Sequence, residues 1–140
     1  MVLNSAKNIA KKAGIDTRSV YQALMVKSIR SAIKEQSLEE LVEKCRKVIP
    51  DISQQYTGSF SREEYERFWE VKMRGLHAFQ VKVTLDAIEH LNLNKAVIAD
   101  IGDSSGNHGL YFKALAGHEK ISRVISVNLD PVAVEKVKKN

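Results

Sequence analysis

The spacing of apolar residues changes along the chain and divides it into three parts. Residues 4 to about 50 carry apolar side chains at helical spacing and predict several short helices. A connector rich in turn-forming residues, "DISQQYTGSF", then leads into a long helix that is expected to end near "LNLN". From about residue 95 the helical period gives way to short apolar runs bounded by glycine. This succession predicts an α/β fold with a helical N-terminal part.

Two capping boxes mark helix starts in the first two parts. In "SLEELVEKCRKVIP", Ser37 is the expected N-cap, Glu40 completes the box, and Pro50 lies just past the end of the helix. Ser61 and Glu64 form the same pattern at the start of the long helix. The buried face of that helix is predicted from its apolar positions, which are Tyr65, Phe68, Trp69, Leu76, Phe79, Val83 and Ile88.

The third part alternates strands and helices. "KAVIADIG" is almost uninterruptedly apolar, which is typical of a strand buried on both faces. "LYFKALAG" predicts a helix with Gly117 as its C-cap, "RVISVNL" a second strand, and "DPVAVEKVKKN" a helix with Asp130 as N-cap and Pro131 at its first position. This order predicts a right-handed βαβ unit with parallel strands. We divide the chain into a helical region, residues 1–60, and a second region, residues 61–140.

Composition narrows the class of protein. Hydrophobic residues make up 44% of the chain, as in a globular protein, and no apolar run approaches the roughly 18 residues of a membrane span. The N-terminus lacks the apolar core of a signal peptide. Cys45, the single cysteine, can form no internal disulfide, which agrees with a reducing compartment, and we interpret it as a partly buried, unreactive residue. We therefore expect a soluble, cytoplasmic protein that does not enter the membrane.

The net charge of +5 is unevenly distributed. Residues 1–50 hold ten Lys and Arg against five Asp and Glu, and the rest of the chain is nearly balanced. Such an excess is found on surfaces that bind nucleic acid or acidic partners, but solvated helix faces of mixed sign are the simpler interpretation.

The segment "DIGDSSGNHG" joins the first strand to the following helix. Glycines between a strand and a helix let the backbone turn tightly and approach a ligand closely, and the free N–H groups of the first helical turn face the same place. Because ligands of open α/β folds bind at the carboxyl ends of the strands, this loop is predicted to hold a ligand.

The loop resembles the nucleotide-binding motif of the class I S-adenosylmethionine-dependent methyltransferases, commonly written D/E-x-G-x-G-x-G. Asp100, Ile101, Gly102 and Gly106 match it. The later segment "VISVNLDPVAVEKVKKN" is similar to the family's next strand and helix, so the resemblance covers about residues 94–140. It implies a Rossmann-like sheet, S-adenosylmethionine as cofactor, and transfer of its methyl group to an acceptor that the sequence does not identify.

The resemblance also implies roles for single residues. Asp100 would order the loop and meet the methionine ammonium group, directly or through water. Asn128 would bind the ribose, and Leu129 would border the adenine. The chain departs from the family twice, with Ser104 at the middle glycine and Asn128 at the acid that ends the second strand. The complete set of cofactor-binding residues implied in this way is Asp100, Gly102, Asp103, Ser104, Gly106, Asn128 and Leu129.

A class I methyltransferase sheet has about seven strands, and the chain supplies two. We therefore expect an N-terminal fragment, with the catalytic residues beyond residue 140. The open edge of the first strand, residues 97–101, is expected to cause self-association, either by pairing edge to edge or by being covered by the N-terminal helices of a partner.

Other residues have weaker functional interpretations. No pair of the histidines shows ligand spacing with a cysteine or acid, so no metal site is predicted. His108 lies in the first turn after the loop and could touch a ligand there, but a plain surface position is the favoured interpretation. Tyr56 and Arg74 are weak candidates for covering the cofactor.

The alternative function belongs to a different class. "IAKKAGIDTRSVYQALM" is similar to a helix-turn-helix, with Ala10 where the helices touch, Gly14 in the turn, Val20 as anchor, and Asp16 or Thr17 as cap. The chain would then be a DNA-binding or scaffolding module with a degenerate cofactor fold. The residues facing DNA would be Arg18, Ser19, Tyr21 and Gln22.

Overall fold

The helices and strands follow the predicted order. The computed structural model of the chain describes residues 12–14, 16–55, 61–102 and 105–138. Along the chain these residues form α1 (Thr17–Glu35), α2 (Glu39–Val48), a 3₁₀ turn (Ser53–Gln55), the long helix α3, β1 (Ala96–Ile101), α4 (Asn107–Lys120), β2 (Ile121–Val127) and α5 (Pro131–Val137).

Helix α3 is continuous but not uniform. It consists of an α-helical start, Arg62–Glu64, a π-helical segment, Tyr65–Trp69, and an α-helical remainder, Glu70–His90. Ser61 is its N-cap, as predicted, because its side-chain oxygen accepts a hydrogen bond from the backbone N–H of Glu64 at 3.2 Å. The chain therefore enters the second region through a capped helix.

Strands β1 and β2 form a two-stranded parallel sheet, which confirms the predicted pairing. The register runs from Ala96 opposite Ile121 to Ile101 opposite Val127, with an irregularity after Ala96. The N–H of Gly102 donates to the carbonyl of Val127 at 2.7 Å and extends the ladder by one residue. The mixed α/β class is thus confirmed, and Gly102, the first glycine of the loop, is bonded to the end of β2.

The core lies between the sheet and helices α2, α3 and α4. Its buried side chains come from each of these elements and make one cluster with the inner face of the sheet, where Ala96, Ile98 and Val124 are partly buried. The helices thus cover the sheet from one side. The buried members of the cluster are Cys45, Val81, Ile88, Tyr111, Phe112 and Ile121.

The prediction that β1 is buried on both faces is wrong for the described residues. Side chains alternate along β1 between partly buried and exposed, and the exposed ones include Val97 and Ile101, the latter 81% exposed. Ile125 and Val127 of β2 continue the same open face. The physical reason is that the core helices pack on the other face, so the apolar outer face remains uncovered by the described part of the chain.

The buried face of α3 also differs from the prediction. Phe68 and Ile88 are buried as expected, whereas Leu76, Phe79 and Val83 are between 43% and 50% exposed. Phe79 and Val83 line a shallow groove together with Ile98 and Ala99 of β1. Two polar side chains take part in the true buried face, so hydrophobicity alone could not locate it. That face consists of Arg74, Gly75, His77, Ala78, Val81 and Ile88.

Helix α1 packs against this face at Gly75. A Cβ atom built at Gly75 would lie 3.1 Å from Cδ1 of Ile33 and 3.2 Å from Cγ2 of Ile29. Glycine therefore permits a close approach between α1 and α3 that a larger side chain would oppose. The two predicted regions of the chain thus contact each other directly.

Ser37 does not cap α2, so the first predicted capping box is wrong. It adopts a positive φ of 54°, and its N–H donates to the carbonyl of Lys34 while the N–H of Leu38 donates to that of Ile33. This is the Schellman arrangement that ends α1. Because Ser37 terminates the preceding helix, α2 begins only at Glu39.

Arg74 joins α3 to the end of α2. Its guanidinium is 1% exposed and donates to Oε1 of Glu70 at 2.8 Å and to the carbonyls of Ile49 and Pro50 at 3.1 and 2.6 Å. A cation suits the carbonyl end of a helix, and its hydrogen bonds satisfy acceptors there. Arg74 is therefore structural, and its predicted role in covering a cofactor is wrong. Tyr56, the other candidate, lies outside the described residues.

We predict that Arg74→Met lowers the free energy of unfolding by about 2–4 kcal/mol, because it leaves two carbonyls and Glu70 without their buried donor. Urea denaturation followed by circular dichroism measures the change. The matched control is Arg46→Met, which removes a half-exposed guanidinium 4.0 Å from the same Glu70 and should cost less than about 1 kcal/mol. Equal losses in both variants would contradict the anchoring role of Arg74.

The open edge and outer face of β1 lead us to propose self-association of the chain. Sedimentation velocity at micromolar concentration should show a species larger than a monomer, and Val97→Lys should shift it toward the monomer because a charge on this strand opposes edge pairing. Val132→Lys, at an exposed valine of α5, is the control and should leave association unchanged. A well-folded, strictly monomeric parent chain would contradict the proposal.

Candidate functional site

A cavity of about 240 Å³ lies at the carboxyl end of β1, between the glycine loop and α3. Apolar and polar side chains both face it, and three of the polar ones carry imidazole or carboxylate groups. The residues that matter most for its chemistry are Leu76, His77, Gln80, Asp100, Gly102 and His108.

Two glycines lie in the described parts of the loop, on either side of residues 103–104. Gly102 has a φ of 90° and Gly106, directly before α4, a φ of 76°. Residues other than glycine rarely adopt these angles. Gly106 occupies the N-cap position of α4 and brings no capping side-chain oxygen to the first turn, whose N–H groups point toward the loop. Both positions therefore use the conformational freedom of glycine.

Asp100 and His108 form the central contact of the cavity. Oδ2 of Asp100 lies 2.7 Å from Nδ1 of His108, and the two side chains are only 17% and 16% exposed. Nε2 of the same ring lies 3.0 Å from Oε1 of Gln80 on α3. The expectation that His108 is a plain surface residue is therefore wrong, because its position in the first turn of α4 directs the ring back toward the end of β1.

Both nitrogens of the His108 ring face side-chain oxygen atoms. Nδ1 faces the carboxylate of Asp100, and Nε2 faces the amide oxygen of Gln80. A ring nitrogen donates or accepts a hydrogen bond according to the position of its proton. The cavity thus presents a carboxylate and an imidazole side by side.

Residues behind His108 hold its ring in place. The ring of His77 meets it edge to face, with centroids 5.3 Å apart. Nδ1 of the buried His77 lies 3.4 Å from the hydroxyl of Tyr111, which is fully buried in the core. The position of the Asp100–His108 pair is therefore connected to the packing of α3 against α4.

The connector before α3 contacts the glycine loop. Nε2 of Gln55, the last residue of the 3₁₀ turn, donates to Oγ of Ser105 at 2.8 Å. This contact joins residues 50 apart in the sequence and closes one side of the cavity. Apart from the turn-rich composition of the connector, no feature of the sequence indicates this contact.

The end of β2 is placed beside the loop but outside the cavity at Asp100. Oδ1 of Asn128 accepts from the N–H of Asp130 at 2.8 Å, and Asp130 in turn caps α5 through the N–H of Val132, as predicted. Leu129 is fully exposed. Gly106 lines a different hollow, with Ser126 of β2.

The structure thus assembles the predicted site in part. Asp100 and Gly102 face one cavity, while Asn128 and Leu129 lie along the same edge of the sheet, next to the residue that pairs with Gly102. Asp103 and Ser104 lie outside the described residues. Sequence reasoning missed Gln80 and His77. Their spacing of three on one helix was the available signal, since such residues share a face.

Of the residues proposed to face DNA, Arg18 and Tyr21 are exposed, Ser19 is partly buried and Gln22 is buried. Asp16 caps α1, as predicted, but Gln22 is buried and its amide donates to Glu64 at 2.7 Å. Arg18 forms an ion pair with the same carboxylate. Val20, the predicted anchor, is 48% exposed, and Ala10 lies outside the described residues. Gln22 is therefore unavailable as a reading residue because it holds α1 against α3.

Two further searches concern metals and membranes. In the described ranges, no group of three or more His, Cys, Asp or Glu side chains is placed to bind a metal ion. Of the helices that the structure describes, none is both long enough and apolar enough to cross a bilayer.

Comparisons of the chain with protein-family models, with curated proteins and with solved structures found no match.

Cys45 and Tyr111 are fully buried in the core below the site. Burial raises the pKa of the Cys45 thiol from 9.0 to about 11. Burial, with a smaller contribution from nearby Cys45, raises the pKa of the Tyr111 hydroxyl from 10.0 to about 12. Because the thiolate is the reactive form, Cys45 is an inert core residue rather than a nucleophile.

These two pKa shifts predict a loss of stability in alkali. Both groups hold their protons more tightly in the folded chain, so their contribution is complete below pH 9 and is lost as the pH rises toward 11 and 12. Urea denaturation at a series of pH values should show the free energy of unfolding falling over this range. Cys45→Ala should reduce the steepness of the fall between pH 9 and 11, and an unchanged slope would contradict the assignment.

Proposed function

We propose that the chain binds S-adenosylmethionine through the glycine loop and forms the cofactor-binding part of a Rossmann-like methyltransferase. The observation that carries this proposal is the carboxylate of Asp100, which lies near the end of β1, partly buried in a cavity that Gly102, a glycine of positive φ, also lines. The methyl acceptor and the catalytic residues are left unassigned, and a cytoplasmic location is part of the same proposal.

The chemistry of the cofactor fits the groups at this edge of the sheet. S-adenosylmethionine carries an ammonium group, for which the Asp100 carboxylate is a charge-assisted acceptor. A loop without a Cβ atom at Gly102 lets the backbone approach the methionine chain closely. Leu76 and Met73 add apolar surface to the same cavity. These features support binding of the amino-acid end of the cofactor next to β1.

The end of β2 supports the position of the nucleoside. The hydrogen bond from Gly102 to Val127 fixes the loop beside Asn128. The amide of Asn128 can donate hydrogen bonds to ribose hydroxyls while its oxygen holds the turn before α5. Since methyl transfer depends mainly on the positioning of donor and acceptor, holding the cofactor at both ends is the contribution expected of this part of the protein.

The alternative, a DNA-binding or scaffolding module, has less support. The basic excess of residues 1–50 agrees with it. However, Arg18 and Gln22 both contact Glu64 of α3, and Gln22 is buried. One side of α1 therefore packs against α3, while the rest of the helix, including Tyr21 and Leu24, is exposed.

We predict that the chain binds S-adenosylhomocysteine, the demethylated product, in isothermal titration calorimetry. Gly106→Val should weaken binding by at least about tenfold, because this position of the loop has a φ of 76°. The control is Gly117→Ala, which imposes comparable backbone strain at a φ of 72°, at the kink inside α4, and should leave the affinity unchanged.

Two outcomes would count against the proposal. Absence of any heat with folded parent chain would remove the cofactor hypothesis. Equal weakening in Gly106→Val and Gly117→Ala would show that the loss reflects general destabilisation and not the loop.

A further inference from the structure

The Asp100–His108 pair presents more chemistry than the proposed function uses. That function assigns a ligand group to Asp100 alone, whereas the imidazole of His108 lies in the same cavity and is equally shielded from solvent. A carboxylate and an imidazole held side by side, with the outer ring nitrogen facing an oxygen atom, match a ligand that carries a cationic and an anionic group close together.

We propose that His108 binds the carboxylate of an α-amino-acid group in this cavity while Asp100 binds its ammonium group. The inference rests on the proposed function, in which that group is the methionine end of S-adenosylmethionine. It adds a specificity-determining residue that the resemblance does not supply, because the glycine motif assigns no role to a side chain in the first turn of α4.

The contacts of His108 show where a ligand oxygen would sit. Asp100 fixes Nδ1 as a donor, so Nε2 is the nitrogen directed away from β1. Oε1 of Gln80 lies 3.0 Å from Nε2 and marks the position of an acceptor oxygen. Gln80 is an exposed residue on α3 and can turn away. A carboxylate oxygen in its place would form a charge-assisted hydrogen bond, which is stronger than the bond to an amide.

The surroundings favour this exchange. Electrostatic interactions at a partly buried pair are screened less than those on the open surface. His77 supports the His108 ring edge-on, so little ordering of the ring is needed when a ligand arrives. The ring is thus preorganised toward the cavity.

The size of the cavity sets the size of the group. Cavities that enclose drug-sized ligands measure roughly 300–1,000 Å³. The cavity at Asp100 measures about 240 Å³ and includes Leu76 and Met73 among its walls. It therefore suits an amino-acid group with a short apolar chain, and a nucleoside attached to that chain would extend out of it along the sheet edge.

The test compares two ligands that differ in the amino-acid group. S-adenosylhomocysteine carries it, and 5′-methylthioadenosine lacks it. In titration calorimetry, His108→Gln should weaken the binding of S-adenosylhomocysteine at least about tenfold and leave the affinity for 5′-methylthioadenosine unchanged. The reason is that only the first ligand loses a charge-assisted hydrogen bond. His118→Gln, at an exposed histidine near the end of the same helix, is the matched control and should change neither affinity.

A second variant acts in the opposite direction and does not depend on the folding of the first. Gln80→Ala removes the competing acceptor and keeps the Asp100–His108 contact. It should therefore raise the affinity for S-adenosylhomocysteine and leave the affinity for 5′-methylthioadenosine unchanged. Equal effects of His108→Gln on both ligands, or no tightening in Gln80→Ala, would overturn the inference.

Free methionine distinguishes this inference from the proposed function. It carries both charged groups and no nucleoside, and its binding should shift the ring-proton resonances of His108 in NMR spectra. A shift with methionine but no binding of S-adenosylhomocysteine would remove the cofactor proposal and retain the amino-acid site. No shift with either ligand would overturn both.

Discussion

The buried guanidinium of Arg74 is the interaction on which the arrangement around the site depends. A cation in the interior is tolerated only where hydrogen-bond acceptors surround it, and here the end of α2 and Glu70 supply them. The chain that leaves Pro50 is thereby fixed in place, and five residues later Gln55 reaches Ser105 of the glycine loop. The ion pair between Arg74 and Glu70 therefore helps to position Gln55, which forms part of the cavity wall.

The same packing explains the asymmetry of the sheet. Helices α2, α3 and α4 cover one face of the two strands, and their side chains bury Ile121 together with Tyr111 and Phe112. The other face shows apolar side chains such as Ile101 to solvent. Helix packing on one face of the sheet stabilises the strand ends that carry the loop. The other face keeps an exposed hydrophobic surface of the kind that ordinarily drives association.

Local signals in the sequence predicted much of the fold. The caps at Ser61 and Asp130 and the parallel strand pair follow from short-range chemistry, and the structure confirms them. Gly117, predicted as the C-cap of α4, instead lies with a φ of 72° at a kink inside the helix, which ends at Lys120. The buried face of α3 could not be predicted because Arg74 resembles an exposed residue until its acceptors are known. Those acceptors lie 24 and 25 residues away.

The candidate site divides in the same way. Asp100 and Gly102 were found because a motif of neighbouring residues contains them. His108 was misjudged because its role depends on Gln80, 28 residues earlier in the chain. Contacts between distant parts of a chain are products of packing, and a single sequence without its fold does not reveal them.

The π-helical segment Tyr65–Trp69 has a consequence for how α3 can evolve. A π turn accommodates one residue more than an α turn, so it advances the angular position of everything that follows by roughly 100°. Glu64 before the segment faces α1, and Arg74 after it faces the end of α2. Deleting one residue from the segment would regularise the helix yet turn one of these side chains away from its partner. The extra residue therefore acts as a phase adjustment that lets a single helix satisfy two neighbours at once.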